Sequence, residues 1–238
     1  MKNVLTVMML LLPIGSLRAE TLGEYWGTAE EESKYYKIVE LPFPEELAIE
    51  ASSFEVMPDQ QRLAIATRRG EIFLATGAFD KNPLPQYKRF ASGLDELMGL
   101  AYRDGAFYVT QQTEVSRIAD TNADGLADDF QTLCDRWGFR NYHEFAFGSK
   151  PDAEGNIWVA LCLSESYRSK VPFRGWCLKV TPDGRMIPVC SGIRSPCGIG
   201  PNEHGVMFYA ESQGPWNGSC SLKVLEPRWK AAGVCRSR

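Results

Sequence analysis

The sequence predicts an all-β fold, a β-propeller of four-stranded blades with about four blades present. Three observations predict it. Strand, turn, strand patterns recur along the chain; their turn glycines, Gly70, Gly105, Gly155 and Gly205, stand 35, 50 and 50 residues apart; and after the N-terminal segment the only moderate helical candidate is Asp129 to Trp137. A repeat of this size suits four-stranded sheets that cover one another around an axis, and the scarcity of helical periodicity disfavours alternating β and α units. A β-sandwich is the alternative, and the regular glycine turns favour the propeller over it.

Residues 1–19 read as a secretory signal, with Lys2 supplying positive charge, Val4 to Leu12 the apolar core and Ala19 a small residue at the cut. The mature protein is therefore expected outside the cytoplasm, periplasmic or extracellular, with an uncleaved anchor as the alternative. No later apolar run is long enough for a membrane span. Residues 20–37 form a polar, acidic lead-in with at most a helical turn at Glu30 to Lys34, residues 38–226 the partial propeller, and residues 227–238 an irregular tail.

The propeller region opens with RLAIATRRGEIFLAT, from Arg62 to Thr76, and continues with MGLAYRDGAFYVT, from Met98 to Thr110. A third unit spans Asn141 to Ala160, NYHEFAFGSKPDAEGNIWVA, and a fourth spans Cys197 to Ala210, CGIGPNEHGVMFYA. Each places a small or apolar strand before a polar glycine turn and a strand rich in aromatic and branched residues after it. Four units of a larger ring would leave an unpaired edge and open apolar faces. The chain is then a small four-bladed ring, a part of a larger one completed by a second chain, or a truncated product.

The formal charge of -4 becomes -6 once Lys2 and Arg18 leave with the signal, which argues against a nucleic-acid partner. Seven cysteines, at 134, 162, 177, 190, 197, 220 and 235, suit an exported protein, and the odd count leaves at least one thiol free or paired between molecules. Cys190 with Cys197 across a turn and Cys162 with Cys177 across a hairpin are the simplest pairings; buried unpaired cysteine is the alternative. Their spacing fits no structural zinc pattern. GxGxxG is absent, so no NAD is expected; C-x-x-C-H is absent, so no haem; Gly-x-Ser-x-Gly is absent as well.

Asp120 to Asp129, DTNADGLADD, places oxygen donors at Asp120, Asn122, Asp124 and Asp128 around the reversal at Gly125, the spacing by which a loop wraps a hard cation such as calcium. The usual acid at the twelfth position is replaced by Gln131, and a solvated loop of Asx turns is the equal alternative. His143, just before a strand, is placed to act as a general base for alcohol oxidation, or to hydrogen-bond between blades. Arg194, in SGIRSPCGIG, offers a planar donor fork for a carboxylate or quinone oxygen, or for a salt bridge. His204 lies in a turn.

With these motifs the chain resembles the soluble quinoprotein sugar dehydrogenases of the glucose and sorbosone dehydrogenase family. It is similar above all to the exported, membrane-bound-dehydrogenase-like propellers of planctomycete-type bacteria. The resemblance covers roughly Val39 to Trp216 and rests on DTNADGLADD, on NYHEFAFG leading to GNIWVA, and on GIRSPCGIG leading to ESQGPW. It implies a six-bladed, TolB-like type of ring and oxidation of a sugar or other alcohol as small-molecule substrate by pyrroloquinoline quinone (PQQ) with calcium. Within it His143 would be the catalytic base, Arg194 a catalytic and quinone contact, and Gly214 with Pro215 backbone ligands at the cofactor's calcium. Gln213 stands where the family has histidine, and Ser195 and Cys197 replace asparagine and glutamine. A non-catalytic propeller acting as an interaction module is the competing expectation.

Overall fold

The computed structural model describes residues 29–163, 169–212 and 219–225, without the side chains of Ala29, Glu30 and Cys197. The signal, Gly214, Pro215 and the tail from 227 onward lie outside the described residues. The chain divides into two units, Met1–Glu40 and Leu41–Arg238.

Among the described residues of the first unit, a short helix, α1 (Ala29–Glu32), precedes a turn that Lys34 and Glu31 close with a 2.6 Å ion pair. Both side chains are largely exposed, so the pair contributes at most ~0.5 kcal/mol.

The second unit is all β among its described residues. Four antiparallel meanders follow one another: β1 (Ala51–Val56) to β4 (Gln86–Ala91), with β2 Arg62–Thr67 and β3 Ile72–Thr76; then β5 (Gly99–Arg103), β6 (Ala106–Thr110), β7 (Val115–Ala119) and β8 (Asp129–Cys134). The third comprises β9 (Ala146–Pro151), β10 (Ile157–Leu161), β11 (Trp176–Val180) and β12 (Met186–Ser191), and the fourth β13 (Pro196–Pro201), β14 (Met207–Glu211) and β15 (Ser221–Val224). The first strands lie side by side in the order β1, β5, β9, β13, and β5 runs parallel to β9 where Gly99 meets Gly148. Glu55 of β1 also reaches Lys150 of β9, two meanders away, at 3.5 Å. The sheet therefore curls, and its first strands gather around a common line, as in propeller-type folds.

Successive meanders share one core cluster each. Ala64, Ala66, Ile72 and Leu74 pack with Leu97, Leu100, Phe107 and Val109 between the first and second. Val115, Cys134 and Trp137 pack with Ile157, Val159 and Leu178 between the second and third, and Trp158, Ala160 and Cys177 with Ile199, Met207 and Tyr209 between the third and fourth. Each large aliphatic or aromatic side chain so buried contributes roughly 1.5–3 kcal/mol. Burial on both faces explains why β10 reads as an unbroken apolar run instead of alternating.

Three expectations change. Gly70 lies between β2 and β3, whereas Gly105, Gly155 and Gly205 lie between the first and second strands of their meanders. In the first meander that turn is carried by Gln60, which takes the positive φ of 55° that the other three meanders give to glycine. Asp129 to Cys134 is the strand β8, paired with β7, not a helix. Cys162 and Cys177 are free thiols, as are Cys134 and Cys220, while Cys190 is disulfide-bonded to a partner outside the described side chains.

Candidate functional site

Strand direction sorts the loops into two ends. The segments that lead into β5, β9 and β13 share one end with the β2–β3, β6–β7 and β10–β11 connections; the first-to-second turns and the β7–β8 loop lie at the other. His143 and Arg194 therefore belong to one mouth, and the acidic loop to the opposite end.

At the mouth the organising side chain is Arg174, fully buried, from the segment before β11. Its Nε donates to Gly138 O at 2.7 Å, Nη1 to Phe145 O at 2.9 Å and Nη2 to Gln112 O at 3.2 Å. It thereby clamps both ends of the segment that carries His143 onto the second meander. Its counter-ion is Glu144, also buried, 4.0 Å away. Glu144 further accepts from Arg140 N at 2.6 Å and from Ser169 Oγ at 3.1 Å. Burial pulls the Arg174 guanidinium down to about 10, against the opposing pull of the Glu144 carboxylate, so it remains a cation at neutral pH.

Cys162 connects this cluster to Arg194. Its thiol donates to Arg194 O at 3.2 Å, with Ser195 Oγ at 3.8 Å, and Leu163 N donates to the same carbonyl at 2.7 Å. Burial pushes the thiol's pKa up, outweighing the nearby Ser195, Arg174 and Arg194, so it stays protonated and a poor nucleophile at neutral pH. His143 lies one residue from Glu144 with its ring exposed, 4.0 Å from the Tyr142 ring between centroids, and its backbone N–H donates to Asn141 Oδ1 at 3.0 Å. The structure thus gathers Glu144, Arg174, Cys162 and the Arg194 segment, and leaves the His143 imidazole facing solvent beside them.

A second contact at the mouth joins three meanders. Arg68 donates to Glu96 Oε1 from Nε at 3.2 Å and Nη2 at 2.6 Å, and its guanidinium lies 5.4 Å from the centre of the Phe145 ring. Sequence reasoning missed Arg68, Glu96, Glu144 and Arg174. They are distant in the chain and fit no spacing motif; only the apolar flanks of Glu144 and Arg174 hinted at burial.

At the other end the acidic loop is closed by its own backbone. Asp120 accepts from Ala123 N and Gly125 N, both at 2.7 Å; Asn122 from Asp124 N at 2.9 Å; and Asp124 from Leu126 N at 2.8 Å. Asp128 accepts from Thr121 N and Oγ1, at 2.7 and 2.8 Å, which holds its carboxyl below the ordinary range. Lys88 Nζ donates to Asp124 O at 3.1 Å. Among the described residues no three His, Cys, Asp or Glu side chains converge as metal ligands. Gly214 and Pro215 lie outside the described residues.

A family model described as a domain of unknown function (DUF7133) matches residues 77–231. No curated protein matches the sequence. Among solved structures, a Thermus thermophilus protein provisionally assigned as an oxidoreductase (glucose dehydrogenase) is 19% identical with a TM-score of 0.57, covering 76% of this chain and 63% of that one. A calcium structure of a Trichoderma reesei carbohydrate-active enzyme of family AA12 is 12% identical with a TM-score of 0.59, covering 79% and 55%. The holo PQQ domain of a Coprinopsis cinerea pyranose dehydrogenase is 14% identical with a TM-score of 0.54, covering 69% and 44%. At these identities the likeness is one of fold. The chain spans less than two thirds of the length of each.

Proposed function

The chain belongs to the DUF7133 family, a domain of unknown function, and from that premise we propose that it is an exported propeller-type interaction module that presents about four blades of a six-bladed type of ring. The observation that supports this reading is the contrast between its two outer faces. The far face of the first meander is covered by the chain's own Leu41, Leu47 and Ile49, packed on Ile65, Phe73 and Ala75. On the fourth meander Leu222 is 71% exposed beside an open depression of about 450 Å³. Apolar surface of that kind marks a binding face. Light scattering on the chain purified from the cells that make it tests the proposal: a complex heavier than one chain is expected, and a monodisperse monomer of 26.7 kDa or less refutes it.

A second reading is favoured by Arg174, which fixes the His143 segment at the same mouth as Arg194. In a completed ring Arg194 would hold a quinone oxygen and His143 would accept the proton of a sugar or alcohol hydroxyl. PQQ supplies hydride acceptance when bound. The described residues offer it one cation and one base but no gathered calcium ligands, so no catalytic step is built on it. Fluorescence titration with PQQ tests this reading: saturable binding weakened at least about tenfold by Arg194→Ala supports it, and no binding refutes it.

A further inference from the structure

The β10–β11 connection holds both segments of the mouth, the one that carries His143 and the one that carries Arg194. Just before β11, Arg174 ties down Gly138 O and Phe145 O, on either side of His143. The next residue holds the other segment: Gly175 O accepts from Gly192 N at 3.0 Å and from Ile193 N at 3.1 Å. Just after β10, Leu163 N at 2.7 Å and the Cys162 thiol at 3.2 Å both donate to Arg194 O. Ser195 O accepts from Ser212 N at 3.1 Å. The backbone around Arg194 is therefore fixed mainly by the third meander, although the residue leads into the fourth. The turn that carries Arg174 is constrained in turn. Phe173 takes a φ of 63°, an outlier for a bulky residue, and Gly175 a φ of 81°, so two left-handed residues flank Arg174. A Cβ on Gly175 would lie 3.1 Å from Ile193 O and 3.4 Å from Leu163 Cβ, where the two ends of the connection meet. A backbone outlier of this kind persists where its surroundings over-determine it, and such outliers cluster at functional sites.

We propose that Cys162 and Gly175 are positioning residues, which set the place of the Arg194 guanidinium relative to the His143 segment so that one planar, anionic quinone meets both. This rests on the quinone reading of the mouth and deepens it. Neither residue acts by touching the ligand. Gly175 works through the amides of Gly192 and Ile193, and Cys162 through the carbonyl of Arg194. Two donors on that carbonyl occupy both of its lone pairs and fix its direction; with Leu163 N alone the peptide is free to tilt. A planar donor fork reads its ligand by direction, so a tilt at its backbone is felt in binding. Misplacing a group by about 1 Å costs such a site about a hundredfold, and loss of one of two donors is expected to cost part of that. The arrangement also explains why Arg174 and Gly175 stand side by side: a single turn fixes the base's segment with a side chain and the guanidinium's segment with a carbonyl.

The test uses the full chain with PQQ as the probe. Binding is read by fluorescence titration and the imidazoles by NMR; the chain holds only two histidines, and His204, in a turn at the opposite end, is the internal reference. Cys162→Ala removes the thiol donor, Cys162→Ser keeps a donor, and Cys177→Ala removes another buried free thiol of the same meander. Gly175→Asn tolerates the left-handed backbone but sets a Cβ against Ile193 O. In the parent, PQQ is expected to shift the His143 signal and leave His204 unmoved. Cys162→Ala and Gly175→Asn are expected to weaken PQQ at least about fivefold and to halve the His143 shift, while Cys162→Ser and Cys177→Ala lose less than fivefold. A smaller loss in Cys162→Ala or Gly175→Asn, an equal loss in Cys177→Ala, no recovery with serine, or a His143 signal that PQQ leaves unmoved overturns the positioning role and spares the quinone reading. No binding of PQQ by the parent overturns both.

Discussion

Replacing Gly99 with alanine tests the claim that close approach of first strands holds the curled sheet together. The added methyl would lie 2.4 Å from Gly148 O, 2.5 Å from Gly148 C and 3.0 Å from Gly148 N, so β5 and β9 must separate by close to an ångström. All three atoms are backbone, and no side-chain rotation relieves the clash. Separation also pulls at the buried hydrogen bond between Thr110 Oγ1 and Ser149 Oγ, 2.8 Å long, that bridges the same two meanders. Overpacking of this kind costs about 3 kcal/mol. For a chain of this size that is a fall of roughly 6–12 °C in melting temperature. Gly198→Ala is the matched control, because the same methyl on β13 meets nothing within 4 Å. Thermal unfolding followed by circular dichroism reads both. A Gly99→Ala melting temperature within about 2 °C of the parent, or equal to that of Gly198→Ala, would refute the reasoning.

Arg174→Met should destabilise by about 3–5 kcal/mol, since it strands the buried Glu144 carboxylate without its counter-ion; urea titration reads the loss, and adding Glu144→Gln should recover part of it. Asp152 accepts from Asn156 and from Trp158 Nε1 at 2.9 Å; burial alone would raise its pKa, but these bonds and Lys179 lower it below 3.8. A carboxyl depressed on folding contributes stability above its unfolded pKa and loses it as pH falls through the folded one. Asp152→Asn should therefore flatten the loss of stability below pH ~4, read by Trp158 fluorescence, and an unchanged acid limb would count against it. Asp120→Ala orphans the Ala123 and Gly125 amides and should lower the melting temperature by a few degrees equally with calcium and with a chelator; an effect confined to calcium would show that the loop acts through the ion.

Much of the fold was legible because strands and turns are local. Gly105, Gly155 and Gly205 mark the same turn in three meanders, since each turn needs a positive φ that glycine adopts without cost. The first meander hid its turn because Gln60 adopts that conformation, and no pattern signals an exception made by surrounding structure. Asp129 to Trp137 imitated a helix through Phe130, Leu133 and Trp137; pairing with β7 overrode that spacing, leaving Phe130 49% exposed and Trp137 buried. At the mouth, His143 and Arg194 were visible as residue types beside strands, but the side chains that hold their segments were not. Arg174 reaches Gln112, 62 residues away in sequence, and no local spacing encodes that contact.

What the sequence determined by itself is the succession of short strands, their glycine turns and their apolar faces, because backbone preference and side-chain burial act over a few residues. What only the tertiary structure decided is which glycines are spaced for contact and which stand open, and that Arg174 and Glu144 are buried as a pair. Those depend on strands brought together from distant parts of the chain, where a single carbonyl oxygen sets whether a methyl group fits.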